Sequence, residues 1–188
     1  MVKYSCCTKA YDLKSCKFMR WSCEETVKKN NNHSAAITID GSLYTWGDNF
    51  SGQIGDGTNI SKIRPVKVLE NVKKVVLGYD YSAAITTDGS LYMWGRNYEG
   101  VLGDGTTTNR MRPVKVMENV KYVALGGYHS AAITADGSLY TWGDNHFGQL
   151  GDGTTSRKLT PTKIEIGGVS PKNAAPVGLK AGSAAGST

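Results

Sequence analysis

Apolar and polar residues alternate along this chain in short runs broken by glycine, and no stretch carries the three-to-four spacing of an amphipathic helix. Ser34-Ala35-Ala36-Ile37-Thr38 is a compact apolar run of strand length, and it recurs at 82–86 and 130–134. Each run is followed by Asp-Gly (Asp40-Gly41, Asp88-Gly89, Asp136-Gly137), a dipeptide suited to a tight hairpin because its glycine accepts positive φ. A second strand, Ser-Leu-Tyr-x-Trp-Gly, follows at 42–47, 90–95 and 138–143. Alternation puts Leu43 on one side and Tyr44 and Trp46 on the other. Both faces are therefore apolar, which predicts sheets covered on both sides, as in a stack. After a Gly-x-x-Gly-Asp-Gly-Thr loop, 64–68 and 112–116 read as strands with Pro65 and Pro113 near their starts, where a missing N–H is tolerated; the third copy keeps Pro161. Val72–Gly78 and Val120–Gly126 close each copy with a further strand.

The whole pattern repeats at a fixed period. Copies at 33–80 and 81–128 are identical at 30 of 48 positions without a gap, and a third runs from 129 to 167. About four short strands per period make one blade. The prediction is an all-β fold: a partial β-propeller of about three four-stranded antiparallel blades. Residues 1–32 form a basic leader expected to be poorly ordered, and residues 168–188, rich in Gly, Ala and Ser, read as a flexible tail.

Charge and cysteine change the picture only at the leader. The chain carries +6, of which +4 falls within positions 1–32. A basic leader can make weak, sequence-independent contact with nucleic acid, although a solvated segment is the plainer reading. All four cysteines, Cys6, Cys7, Cys16 and Cys23, lie there too. They cannot staple the repeats, and their spacing has no Cys-x2-Cys pair for zinc, so free thiols are expected. No apolar run approaches the length of a membrane-spanning helix, and no signal-peptide core is present. No membrane contact is expected, and the cytoplasm is the default compartment.

Gly-x-x-His-Ser-Ala-Ala-Ile-Thr, Asp-Gly-Ser-Leu-Tyr-x-Trp-Gly and Gly-Gln-Leu-Gly-Asp-Gly-Thr, read most cleanly from Gly126 to Thr154, resemble the regulator of chromosome condensation repeat family. The resemblance spans 33 to about 167, and the near-identical copies look most like the family's bacterial repeat proteins. It implies a propeller, typically of seven blades, and a protein partner, with a small GTPase of the Ran type among the candidates. The founding member is a chromatin-bound exchange factor for that GTPase; other members are modules of ubiquitin ligases, channel regulators or bacterial surface proteins. Three blades are too few to close a ring, so the chain is expected to be an incomplete arc or a piece of a longer protein. Uncovered end blades would then favour self-association.

In the exchange factor the Gly-x-x-His loops face the GTPase. The matching loops here nominate Asp80, Tyr81, Tyr128, His129 and His33 as partner-binding residues; the alternative is that the motif histidine bonds neighbouring backbone and closes a turn. Trp46, Trp94 and Trp142 recur once per blade, as sugar platforms in a carbohydrate-binding propeller or, more simply, as packing residues. Asp56, Asp104 and Asp152 are single carboxylates beside glycine and read as turn residues, not calcium ligands. No nucleophile–base pair recurs, and the Gly-rich loops lack the Gly-Lys-Ser/Thr of a phosphate loop. The expected function is non-catalytic protein binding, with no cofactor and no metal; guanine-nucleotide exchange and carbohydrate binding are the alternatives.

Overall fold

The structure, a computed structural model, describes residues 32–166 together with the backbone of Met19 and Arg20. The described residues contain twelve strands and no helix. They are β1 (Met19–Arg20), β2 (His33–Thr38), β3 (Leu43–Gly47), β4 (Lys62–Leu69), β5 (Val72–Leu77), β6 (Tyr81–Thr86), β7 (Leu91–Gly95), β8 (Arg110–Met117), β9 (Val120–Leu125), β10 (His129–Thr134), β11 (Leu139–Gly143) and β12 (Lys158–Ile164). They form three antiparallel four-stranded sheets, β1–β4, β5–β8 and β9–β12. The all-β, three-blade reading is therefore the architecture of the molecule.

The phase of the repeat differs from the phase of the sheet. The strand that closes a sequence copy, Val72–Leu77, pairs with β6 of the following copy, Val75 opposite Ala84. A short crossing, Glu70-Asn71, separates it from β4, and Asn71 takes the left-handed conformation (φ 57°), which asparagine tolerates better than most residues. Asn119 repeats this between β8 and β9. The backbone then locks sheet to sheet: Val72 N–H donates to Gly41 O, and Thr87 N–H to Asn71 O. In the first sheet the same ladder position is taken from the leader. Met19 and Arg20 pair with Thr38 and Ile37, as Val72 and Lys74 pair with Thr86 and Ile85.

Burial follows from stacking. Every residue of β6, in the middle sheet, is buried, so both its faces are covered. On β10, in the last sheet, Ser130, Ala132 and Thr134 are buried while Ile133 is exposed. One apolar layer between the first two sheets is built from Ala35, Leu43, Val72, Val75, Ala84 and Trp94. The next is built from Tyr81, Ala83, Leu91, Met93, Ala132 and Trp142 among others.

Polar bolts fix the spacing within these layers. Trp94 Nε1 and Ser82 Oγ both donate to the Gln53 carbonyl of the sheet before, at 2.9 Å each. Trp142 Nε1 and Ser130 Oγ repeat this on the Val101 carbonyl, at 2.8 and 2.9 Å. Trp94 and Trp142 are wholly buried and so are packing residues, as the simpler sequence reading holds, with no face open to a sugar. A knob-and-hole contact recurs as well: Met111 packs over Gly52 and Leu159 over Gly100. Ile63, at the matching place in the first sheet, is 97% exposed.

Candidate functional site: the loop face

Three long loops, 48–61, 96–109 and 144–157, leave the same end of the sheets, because each follows the strand whose last residue pairs with the start of the strand before it (Gly95 opposite Tyr81). Each loop is wound around one buried asparagine. Asn97 Nδ2 donates to the Thr106 and Thr108 carbonyls and to Asp104, at 3.0 to 3.1 Å, while its Oδ1 accepts from Leu102 N–H at 2.9 Å. Asn49 and Asn145 make the same set, and all three are fully buried. Asp56, Asp104 and Asp152 are turn residues that accept from the threonine two positions on. Each also pairs with a cation at the start of the next strand: Lys62, Arg110 or Lys158. Burial works to raise the Asp56 carboxyl, but bonds from Lys62 and Thr58 outweigh it and hold it at about 2.

These cages push aromatic rings outward at the tips. Phe50, Tyr98 and Phe147 are 80%, 61% and 91% exposed. The short turns β5–β6 and β9–β10 add half-exposed Tyr79 and Tyr128 at the same end. The middle blade departs from its neighbours here. In the first and third loops an aspartate accepts from a glutamine amide (Gln53 to Asp48, Gln149 to Asp144). Arg96 and Val101 stand at those places in the second loop. Arg96 donates to Glu99 at 2.8 Å, and its guanidinium lies 5.5 Å from the Tyr98 ring centre and 5.1 Å from that of Tyr128. One arginine thus ties the middle loop to the turn of the last blade.

The five nominated residues fall into two groups. His33 and Tyr81 are buried, each reaching the next blade. His33 Nε2 lies 2.9 Å from Ser82 Oγ. Because the Ser82 hydrogen goes to Gln53 O, the histidine is the donor, and its proton sits on Nε2. Burial drives its pKa down to about 4 against the weaker pull of Asp48. Tyr81 Oη donates to the Gly126 and His129 carbonyls at 2.9 and 3.0 Å, and burial raises its pKa. At His33 and Tyr81 the motif position is therefore an inter-blade bolt, where the sequence nominates partner-binding residues and offers a turn-closing role as the alternative. Asp80, Tyr128 and His129 remain at the loop face. Burial raises the Asp80 carboxyl, Arg96 opposing and Asp48 adding to it. The sequence does not single out Arg96 or the asparagines. The available signals are the break in the repeat at 96 and the recurrence of Trp-Gly-x-Asn. Among the described residues no three His, Cys, Asp or Glu side chains converge as a metal site, and no helix is long and apolar enough to cross a membrane.

Three stacked four-stranded sheets, bolted by the same Trp and Ser donors from one copy to the next, define a blade-repeat protein of the β-propeller class. The family model for the Regulator of chromosome condensation (RCC1) repeat matches residues 40–85, 88–133 and 136–175, and a second model of that description matches 72–101 and 120–149; the chain belongs to this family. It is 43% identical over 49 residues to the E3 ubiquitin-protein ligase HERC2 of Homo sapiens and of Mus musculus, over 26% of this chain and 1% of that protein. Human WBSCR16 superposes with a TM-score of 0.65 at 28% identity, covering 73% of this chain and 38% of WBSCR16. Prp20p of Saccharomyces cerevisiae, whose binding to Gsp1p and histones has been described, gives 0.62 at 28% identity, covering 72% of this chain and 37% of Prp20p. The chain thus spans well under half the length of the relatives it matches.

Proposed function

We propose that this chain is a non-catalytic protein-binding module and that it engages its partner through the loop face. One observation carries the reading: Phe50, Tyr98 and Phe147 stand exposed at the same end, with Tyr128 stacked on Arg96 beside them. Aromatic rings and arginine on rigid loops are the residue types that dominate interface energy. Their exposure costs free energy that a partner's surface recovers. Asp80 and His129 flank this patch and would set polarity. Ile133, exposed on the last sheet, offers a separate apolar face for a further blade, from the same polypeptide or a second copy; molar mass in solution reads that association.

Affinity capture with the wild-type chain and with Phe50→Ser/Tyr98→Ser/Phe147→Ser tests the reading. A protein retained by wild type, lost with the triple variant and kept by Lys67→Gln supports it. Retention by all three chains sinks it. Tyr128→Ala is expected to weaken the complex about tenfold.

Guanine-nucleotide exchange on a small GTPase is the second reading, motivated by the similarity to Prp20p, which binds Gsp1p. Release of fluorescent GDP from a Ran-type GTPase, compared with and without the folded chain, decides it. No acceleration removes exchange and leaves protein binding standing.

A further inference from the structure

The opposite end of the sheets carries a different chemistry. A cavity of about 300 Å3 opens between the second and third sheets, lined by Lys73, Lys74, Lys121, Tyr122, Thr87 and Gly89 among others. These residues sit where β5 and β9 begin and where β6 turns into β7, a full strand length from the loop face.

The lysines are unlike the others. Of eight described lysines, five are paired with carboxylates: Lys62 with Asp56, Lys67 with Glu70, Lys115 with Glu118, Lys158 with Asp152 and Lys163 with Glu165. The remaining three have no carboxylate partner among the described residues, and all three line this one cavity. Two of them crowd a single ring: the Nζ atoms of Lys74 and Lys121 lie 5.6 and 5.5 Å from the centre of half-exposed Tyr122. Asp88, between the lining residues Thr87 and Gly89, has its oxygens taken by Thr86 Oγ1, Ser90 N–H and Ser90 Oγ, and Glu70 and Glu118, each three residues from one of these lysines, pair with Lys67 and Lys115. The Thr87 backbone N–H is spent on Asn71 O, while its hydroxyl makes no bond among the described residues.

Three like charges around one small cavity repel each other, and the face of Tyr122 offsets only part of that repulsion. A multiply charged anion bound among them converts the repulsion into attraction. The volume is that of a small ligand, at the low end for such pockets. We propose that this cavity is a binding site for a small, multiply charged phosphate ligand, with Lys73, Lys74 and Lys121 supplying the charge, the Thr87 hydroxyl a further donor, and Tyr122 a flat wall. The site is independent of the loop face, and either can fail without the other.

The test is calorimetric titration of the full chain with inorganic pyrophosphate at low salt, with amide shifts followed by NMR. One site is expected, with shifts at Thr87, Gly89 and Tyr122. Lys74→Gln/Lys121→Gln should weaken it at least about tenfold, whereas Lys67→Gln, which removes a paired lysine elsewhere, should change it less than about twofold. Should the double variant fail to fold, the single change Lys73→Gln is expected to weaken binding about threefold, and Lys74→Arg to leave it within that factor. Absence of pyrophosphate binding to the folded wild-type chain, or equal affinity in the glutamine variants, overturns the proposal. So does a single-stranded DNA probe that requires these lysines when pyrophosphate does not bind, which would make the patch a nucleic-acid surface.

Discussion

His33 shows what a single side chain contributes here. It is 3% exposed, neutral, and donates from Nε2 to a hydroxyl on the next blade, while its Nδ1 has no partner among the described residues. Its pKa is about 4 when folded and 6.5 when free, so between these values the unfolded chain binds more protons. The stabilisation is complete above pH 6.5 and is lost as pH falls toward 4, by about 3 kcal/mol. Urea midpoints measured across that window should show the loss. Tyr81 solves the same task in the next blade without a group that charges in acid. His33→Tyr should therefore flatten stability between pH 4 and 6.5; an unchanged profile refutes the assignment. Asn97 is the counterpart in the loops. Asn97→Ala strands the Leu102 N–H and two carbonyls in a buried site, and a loss of about 3 kcal/mol in denaturant melts is expected.

At the scale of an element, the question is what makes one blade fit another. Gly103 and Gly151 occupy the same place in successive loops, with φ of 75° and 71°. A Cβ on Gly103 would lie 2.7 Å from Trp142 Nε1, whereas one on Gly151 would meet nothing closer than Ile164 Cγ2 at 4.0 Å. Both alanine variants carry about 1 kcal/mol of left-handed backbone strain, but Gly103→Ala must also displace a buried indole bonded to Val101. Thermal melts should place Gly103→Ala at least about 2 kcal/mol below Gly151→Ala. Equal losses would mean that the blades are not seated through this contact. Strand positions and hairpin turns were readable from local pattern, because period-two alternation and Asp-Gly turns are local physics; β4 and β8 begin two residues before the expected starts, so Pro65 and Pro113 lie within edge strands, where a missing N–H is still tolerated. The pairing of Val72–Leu77 with the next copy was not, since an apolar strand carries no mark of which neighbour it joins.

Across the whole molecule, stability should be graded by how many faces of a blade are covered. The middle sheet is buried on both faces and the last on one. Amide hydrogen exchange is therefore expected to be slowest in β6 and β7 and faster in β10. Comparable protection in β10 would show that the last sheet's outer face is covered in solution. The two ends of the sheets also diverge in chemistry. One end presents aromatic rings around Arg96, and the other gathers Lys74 and Lys121 around Tyr122.

The repeat, its strands and its turns, and through them the class of fold, are written in the order of residues, because they follow from alternation and from backbone freedom at a few positions. The simpler sequence reading of Trp94 and Trp142, as packing residues, also stands. Which of the nominated residues face outward came from the stacking of the blades. His33 and Tyr81 went inside as bolts, while Asp80, Tyr128 and His129 stayed at the loops. The physical reason is that a side chain's role in a stacked array depends on the blade beside it, and contacts 41 to 49 residues away in the chain leave no trace in local pattern.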